Sequence, residues 1–449
     1  MEALFVHTAD NHLGFEQYGL KQRFNDFAHA FYSVVDDAIA RKADCFLIAG
    51  DLFNKRAIDA LTLIQAQEAL QKLKNAGIPA IAIEGNHDRS YYRDGVSWLQ
   101  FLCWQGVLIL LNPLMEHGAP ELTPWSRETM RGAYVDLKDG RLRIYGLPWY
   151  GASTARVMAS FAQALTADRA AEDAAGVEYR VLLMHTGVEG MLPQLHGLPT
   201  HAQFEPLRGL VDYVALGHVH KPYCLEDWLY NPGSTETWGA EESAWDDRGY
   251  YVTRIHTDVA PGERRHTAEH VVNQRRPFYR IYFKVDGLND PAAFYDHFAR
   301  YCRMEARKYG IVLDTSGQAV ERPDGPAPVV DVTLGGVMSF DASALEASRI
   351  EAIVRDLFQP LVVRQRNNTR DNEYDALNDD EMGDGRDRST RPQLEVHIFQ
   401  ELLARDARYA ANAPQWAKVL AEIKQMALGS EEPAAIARRL REARAELLS

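Results

Sequence analysis

Five short apolar runs in this chain end in aspartate, histidine or asparagine, and no other feature narrows its possible folds so much. "ALFVHTADNH" carries Asp10 and His12, "CFLIAGD" ends at Asp51, and "PAIAIEGNHD" ends at Asn86, His87 and Asp88. "RVLLMHTG" carries His185, and "DYVALGHVH" ends at His218 and His220. The apolar parts are rich in Val, Ile, Leu and Phe and read as buried strands. Gly50, Gly85 and Gly217 stand immediately before a polar group, where a missing side chain lets the backbone turn sharply. Between the early strands, residues 20–42 and 57–77 repeat apolar residues at three- and four-residue spacing, with Gly77 and Pro79 closing the second helix. The start is β-α-β-α-β, which predicts an α/β layered design.

Gly, Asn and Asp are also turn formers, so any one of these motifs alone reads equally well as a turn. Five strand ends that offer only Asp, His and Asn read differently. Three such groups per ion and one shared carboxylate would hold two divalent cations, the arrangement that clamps the attacking and leaving oxygens of a phosphoryl displacement. Mixed carboxylate and imidazole ligands suit manganese or iron better than magnesium. His7 lies inside the first strand and is expected to be structural.

At 449 residues, two or three domains are expected. Cys45, Cys103, Cys224 and Cys302 are scattered and form no C-x-x-C pair, so neither a disulfide framework nor a zinc ribbon is indicated, and a cytoplasmic location is expected. Strand-like sequence follows Met1 directly, so no signal peptide is expected, and the central run "VLILL" is too short to span a membrane. The net charge of −14 argues against coating nucleic acid by bulk electrostatics; any contact needs a local basic patch or bound cations.

The series D-x-H, G-D, G-N-H-D, H-x-G and G-H-x-H resembles that of the calcineurin-like metallophosphoesterases. The wording "HTADNHLG", "IAGDLFNKR", "IEGNHDRS", "ALGHVHKPY" and "NPGSTE" resembles, more narrowly, the SbcD (Mre-eleven) DNA repair nucleases, in detail over residues 1–260 and loosely beyond. The resemblance implies a layered α-β-β-α sandwich, a small α+β capping domain and a C-terminal helical hairpin. By it, Asp10, His12 and His220 would hold one ion, Asn86, His185 and His218 a second, and Asp51 would bridge both. His87 would face the phosphate as an acid or charge stabiliser, with Asp88 as its orienting partner; the alternative for Asp88 is a salt bridge to Arg89 or Arg93. Asn54, Ser234 and Arg89 would face substrate. Asn54 stands where relatives have a second histidine, and an amide cannot donate a proton as an acid, which puts the exonuclease–endonuclease balance in doubt.

The expected domains are a nuclease domain (1–272), a DNA-binding cap (273–365), a flexible linker (366–391) and a helical region (392–449). Residues 275–308 carry eight basic against four acidic side chains, a local excess suited to phosphates. In "QWAKVLAEIKQMAL", Trp416, Val419, Leu420, Ile423 and Met426 share one helix face. That stripe is expected either to grip a partner or to pack back on the catalytic domain. The resemblance implies that the partner is an SbcC-type (Rad-fifty-like) coiled-coil ATPase, with DNA ends as substrate, two manganese ions (magnesium or iron as substitutes) and a homodimer. Two other readings compete with this one. One is a small-molecule phosphodiesterase on the same scaffold; the other is a DNA-end tethering protein with weak activity.

Overall fold

Apolar side chains on both faces of the early strands suit only a sheet that is covered on both sides. The protein, seen in a computed structural model that describes residues 1–90, 95–116, 118–260, 262–371, 391–404, 408–428 and 433–447, builds two such sheets. In the first, β1 (Glu2–Thr8), β2 (Cys45–Ile48), β3 (Ala80–Ala82) and β4 (Ile109–Leu110) run parallel. Gly249–His256 and His266–Val272 extend it antiparallel beyond β1. In the second sheet Leu142–Leu147, Tyr179–Met184, Tyr213–Leu216 and Leu229–Asn231 run parallel, and an antiparallel strand lies at each edge.

Side-chain alternation assigns each strand residue to a layer. Phe5, Leu47 and Ile81 pack with Val181, Leu183 and Ala215 between the sheets. Their neighbours Leu4, Val6, Phe46 and Ile48 pack instead with Phe31, Val34 and Leu70 of α1 (Lys21–Ala40) and α2 (Ala60–Asn75). On the far side Tyr145, Leu182 and Val214 meet Val157, Phe161 and Leu165 of the helix Thr154–Ala174. The α-β-β-α sandwich expected from sequence is present. Both early helices end inside the expected ranges; Asp59 caps α2 by accepting the Thr62 amide at 2.7 Å, and Gly77, at φ 75°, follows its end.

Past the sandwich, Phe278–Lys284, Val329–Gly335 and Val362–Asn367 form a three-stranded sheet, accompanied by the helices Pro291–Lys308 and Ala347–Phe358. Several members of the expected basic patch are already paired here. Arg276 holds Asp26 of α1 at 2.6 and 2.9 Å, Arg275 reaches Asp246 at 3.1 Å, and Arg300 and Lys308 pair with Asp296 and Glu305. Arg280, Lys284 and Arg307 remain exposed. The last strand runs to Asn367 and Arg370–Asp371 pairs with Val337–Met338, so the first residues of the expected linker are paired backbone. Its residues 372–390 lie outside the described residues, as does Arg93.

The described residues fall into two compact units. One comprises Met1–Phe283, Tyr295–Leu334 and Glu346–Asn367; the other comprises Lys284–Phe294, Gly335–Leu345 and the described residues from Asn368 onward. In the second unit the expected hairpin carries a third helix: Arg391–Ala404, Ala413–Leu428 and Pro433–Leu447. That helix changes the reading of the apolar stripe. Trp416 and Val419, each 6% exposed, pack on Ala443, with Leu403, Tyr409, Ile423 and Leu447 around them. A small residue on the third helix lets the indole close the core, so this part of the stripe is internal. Leu402 and Leu440 are the large apolar side chains left exposed in this region among the described residues, at 54% and 40%. The four cysteines are free thiols, and no helix among the described residues is long and apolar enough to cross a membrane.

Candidate metal centre

Both sheets deliver polar side chains to the carboxyl ends of their parallel strands. Asp10 and His12 follow β1, Asp51 follows β2 and Asn86 follows β3; His185 follows Tyr179–Met184, and His218 and His220 follow Tyr213–Leu216. The seven side chains expected to bind metal are thereby gathered at one rim.

The backbone there is set against local preference. Asp10, His12, Asp51 and His218 have φ of 51°, 48°, 50° and 82°, left-handed values that cost a non-glycine residue of order 1 kcal/mol or more. Gly50, at φ 89°, shares that conformation, but close approach also requires it: a Cβ would lie 2.3 Å from His185 Nδ1. Gly85 needs only the space, since its Cβ would meet Asp51 Oδ1 at 2.1 Å.

Hydrogen bonds on the far side of three imidazoles fix which nitrogen faces inward. His185 Nδ1 lies 2.7 Å from the Ala49 carbonyl and His87 Nδ1 2.7 Å from the Asn54 carbonyl. A carbonyl only accepts, so both Nδ1 atoms carry hydrogen and each Nε2 is left for the centre. His220 Nδ1 meets Glu242 Oε1 at 2.8 Å, which directs its Nε2 inward as well. At His185 an acceptor then faces an acceptor, its Nε2 lying 3.1 Å from Asn86 Oδ1. His12 Nε2 is 3.0 Å from His220 Nε2, and His218 Nδ1 is 3.0 Å from Asn86 Oδ1. Asp51 Oδ2 is 3.3 Å from His185 Nε2, and His12 Nδ1 is buried without a partner among the described residues. Converging lone pairs of this kind are relieved by protons or by cations, and the mixed oxygen and imidazole donors fit borderline divalent ions. Asp10, His12 and His220 bring their ligand atoms close enough to hold one ion; Asp10, Asp51 and His185 form a second such group, and His12, Asp51 and His87 a third.

Burial and mutual charge shape the titration of the set. Burial would raise the Asp51 carboxyl, but the imidazoles of His185 and His12 outweigh it and hold the acid well below the usual carboxylate range. Burial would lower His185 likewise, yet Asp51 carries it up to about 9. Asp10 is pushed up to about 6 by burial, against the pull of His185 and His220. Burial lowers His218 to about 3 and His12 well below the ordinary imidazole value.

Four expected roles fare differently. Asp88 does not orient His87: its carboxylate accepts the amides of Leu52, Phe53 and Gly85 at 3.3, 3.0 and 3.0 Å, tying the ends of β2 and β3 together. Burial and the Asp51 charge lift its pKa to about 7. The orienting partner of His87 is the Asn54 carbonyl. Ser234 is fully buried, donating to the Glu236 carbonyl at 2.8 Å and accepting from Arg248, so it cannot face a phosphate. Asn54 is 7% exposed and its Oδ1 accepts the Trp238 indole N–H at 3.0 Å. Arg89 is exposed, its guanidinium 5.7 Å from the Trp149 ring centroid.

Three groups that sequence reading missed complete the site. Glu242 holds His220 and also accepts from Arg248 at 2.9 Å. Trp238 lies within 6.0 Å of His12 and 5.6 Å of His220 by ring centroids. The Ala49 carbonyl orients His185. Neither a lone glutamate nor a backbone carbonyl carries a sequence signature.

Residues 3–222 match the family model described as calcineurin-like phosphoesterase. A protein of Aeropyrum pernix named DNA double-strand break repair protein Mre11 is 29% identical over 309 residues, 66% of this chain and 67% of that protein. A Haloferax volcanii protein of the same name is 31% identical over 294 residues, 64% of this chain and 55% of that protein. One from Archaeoglobus fulgidus is 43% identical over 86 residues, 19% of each. The chain thus spans two thirds of the first of these relatives and about half of the second.

Proposed function

Residues 3–222 are a calcineurin-like phosphoesterase domain, and from that premise we propose that this chain is a two-metal DNA nuclease. It would process double-strand-break or hairpin ends as the nuclease subunit of a complex with a coiled-coil ATPase. The observation that carries the reading is the inward convergence of Asp, Asn and His lone pairs from five strand ends. The repair proteins to which the chain is similar support DNA as the substrate.

Asp10, His12 and His220 would hold one cation, Asn86, His185 and His218 the other, with Asp51 between them; the donor set favours manganese or iron. Bound ions supply positive charge for the phosphoryl oxygens and a water acidic enough to attack near neutrality. The chain's own residues do the rest. The Asn54 carbonyl holds the His87 Nδ1–H and so turns Nε2 toward the phosphate; when Nε2 also carries a proton, it steadies the phosphate or passes that proton to the leaving oxygen. Asn54 therefore acts by position, its own amide held by Trp238. Glu242 and the Ala49 carbonyl keep His220 and His185 aimed inward. Exposed Arg56 and Arg89 would meet DNA phosphates in a salt-sensitive manner. Asp88 serves the backbone and not the reaction.

For the ATPase we assign the region 391–447, with the exposed Leu402 and Leu440 replacing the buried part of the stripe as contacts; the assembly would be built on a homodimer in the cytoplasm. The test is degradation of linear and hairpin DNA with manganese, with and without the ATPase. Cleavage of neither substrate, alongside rapid hydrolysis of a small aryl phosphodiester, would replace this reading with a small-molecule phosphodiesterase.

A further inference from the structure

At the other end of the first sheet, where β3 and β4 begin, lies a cavity of about 340 Å³. Its lining joins the buried apolar residues Ile78 and Val107 to Trp125, Met130, Lys74 and Arg127. A Cβ placed on Gly106 would lie 3.2 Å from Arg127 Nη2 and 3.7 Å from Lys74 Nζ. The two cations are therefore no more than about 7 Å apart across bare backbone, close enough to share one anion. Neither makes an ion pair or hydrogen bond among the described residues. Both side chains are exposed to solvent, so an anion can reach them from outside. Like charges this close repel, and an anion held between them relieves that repulsion.

We infer that this cavity binds a small aromatic phosphate monoester of mononucleotide size. The paired cations match the oxygens of one dianion. The apolar lining covers an aromatic face. The volume falls at the lower end of small-molecule sites, enough for one nucleotide and too little for a duplex. The inference needs neither metal ions nor DNA cleavage. Asn86 at the metal rim is six residues on from Ala80 at the cavity, on the order of 20 Å if extended, so the two sites can be measured separately.

The experiment is calorimetric titration of the full chain, freed of metal by chelation, with dAMP, inorganic phosphate and adenosine in separate arms. Saturable one-site binding of dAMP is expected, with each fragment at least tenfold weaker. The double variant Lys74→Ala, Arg127→Ala should weaken dAMP by tenfold or more without lowering the melting temperature. Equal dAMP affinity in the double variant, or no binding up to millimolar concentration, would overturn the proposal. Phosphate binding as tightly as dAMP would overturn its aromatic half.

Discussion

At the metal rim, Asp10, His12, Asp51 and His218 hold backbone angles that their residue types disfavour, while the C-terminal helices demand no such angle from any residue described in them. The rim is held by partners remote in the chain: His218 donates its amide to Asp10 at 2.9 Å across 208 residues, and His185 reaches Ala49 across 136. The helices rely on a small apolar core of Trp416, Val419 and Ala443. Local strain survives where long-range contacts overdetermine it; where few contacts exist, the chain keeps to what its local pattern favours. A single substitution should accordingly abolish function at the rim and mostly change stability in the helices.

The most severe break expected is Asp51→Ala. Activity should fall to background and bound manganese from two ions toward none, measured by elemental analysis beside a nuclease assay. Two tightly held ions in that variant would remove Asp51 from its bridging place. Next comes Trp416→Ala, which should destabilise the helical region by about 3–5 kcal/mol, the range for truncating a core aromatic. Hydrogen exchange in the helices would report it. Metal content and cutting of short DNA should stay unchanged, and a fall in either would show that the two regions are not independent. His87→Ala should lower cleavage ~10²-fold while keeping metals and DNA affinity, the usual worth of a positioned acid–base group. Near-normal turnover would make that imidazole structural.

Acid should weaken the sandwich body. His266 lies between the Tyr179 and Tyr230 hydroxyls, at 2.7 and 2.9 Å, and burial pushes its pKa down to about 4. Its folded value is below the unfolded one, so the unfolded chain takes the proton first. The stability it contributes is full above about pH 6.5 and drains away as pH falls toward 4; at pH 5 the loss is about 2 kcal/mol. His266→Gln should flatten that limb in pH-dependent denaturation. An unchanged acid limb in that variant would remove His266 as its source. The smallest stability effect belongs to the pair Leu402→Glu, Leu440→Glu. Exposed as they are, they should change stability by no more than about 0.5 kcal/mol, yet a pull-down should lose the ATPase. Retained binding would move the partner contact elsewhere.

How legible each region was follows from the range of the forces involved. The strand ends could be read because alternation and an abrupt change from apolar to polar are local, and Asp, His and Asn have no packing reason to cluster there. The α1 and α2 boundaries came within a few residues for the same reason. Adjacency misled twice. Asp88 follows His87 in sequence, yet its carboxylate turns to three backbone amides, because β2 and β3 both end at that point with donors to satisfy. Ser234 follows a Pro-Gly turn at the rim but is drawn inward to Arg248. The stripe at Trp416 misled differently. An apolar helix face fits a partner or a neighbour equally well, and the neighbour was the helix Pro433–Leu447, whose Ala443 and Leu447 take that place.

By itself the sequence determined the strand-and-helix order, the seven side chains offered to the metals and the chemistry they can support, since these depend on residue type and short-range periodicity. Only the tertiary structure decided which nitrogen of His185, His87 and His220 faces the centre. The groups that decide it are the Ala49 carbonyl, 136 residues from His185, the Asn54 carbonyl, 33 from His87, and Glu242, 22 from His220. Every residue carries a carbonyl, and glutamates are common on any surface. Nothing local distinguishes the ones that will matter until the two sheets close and bring their strand ends together.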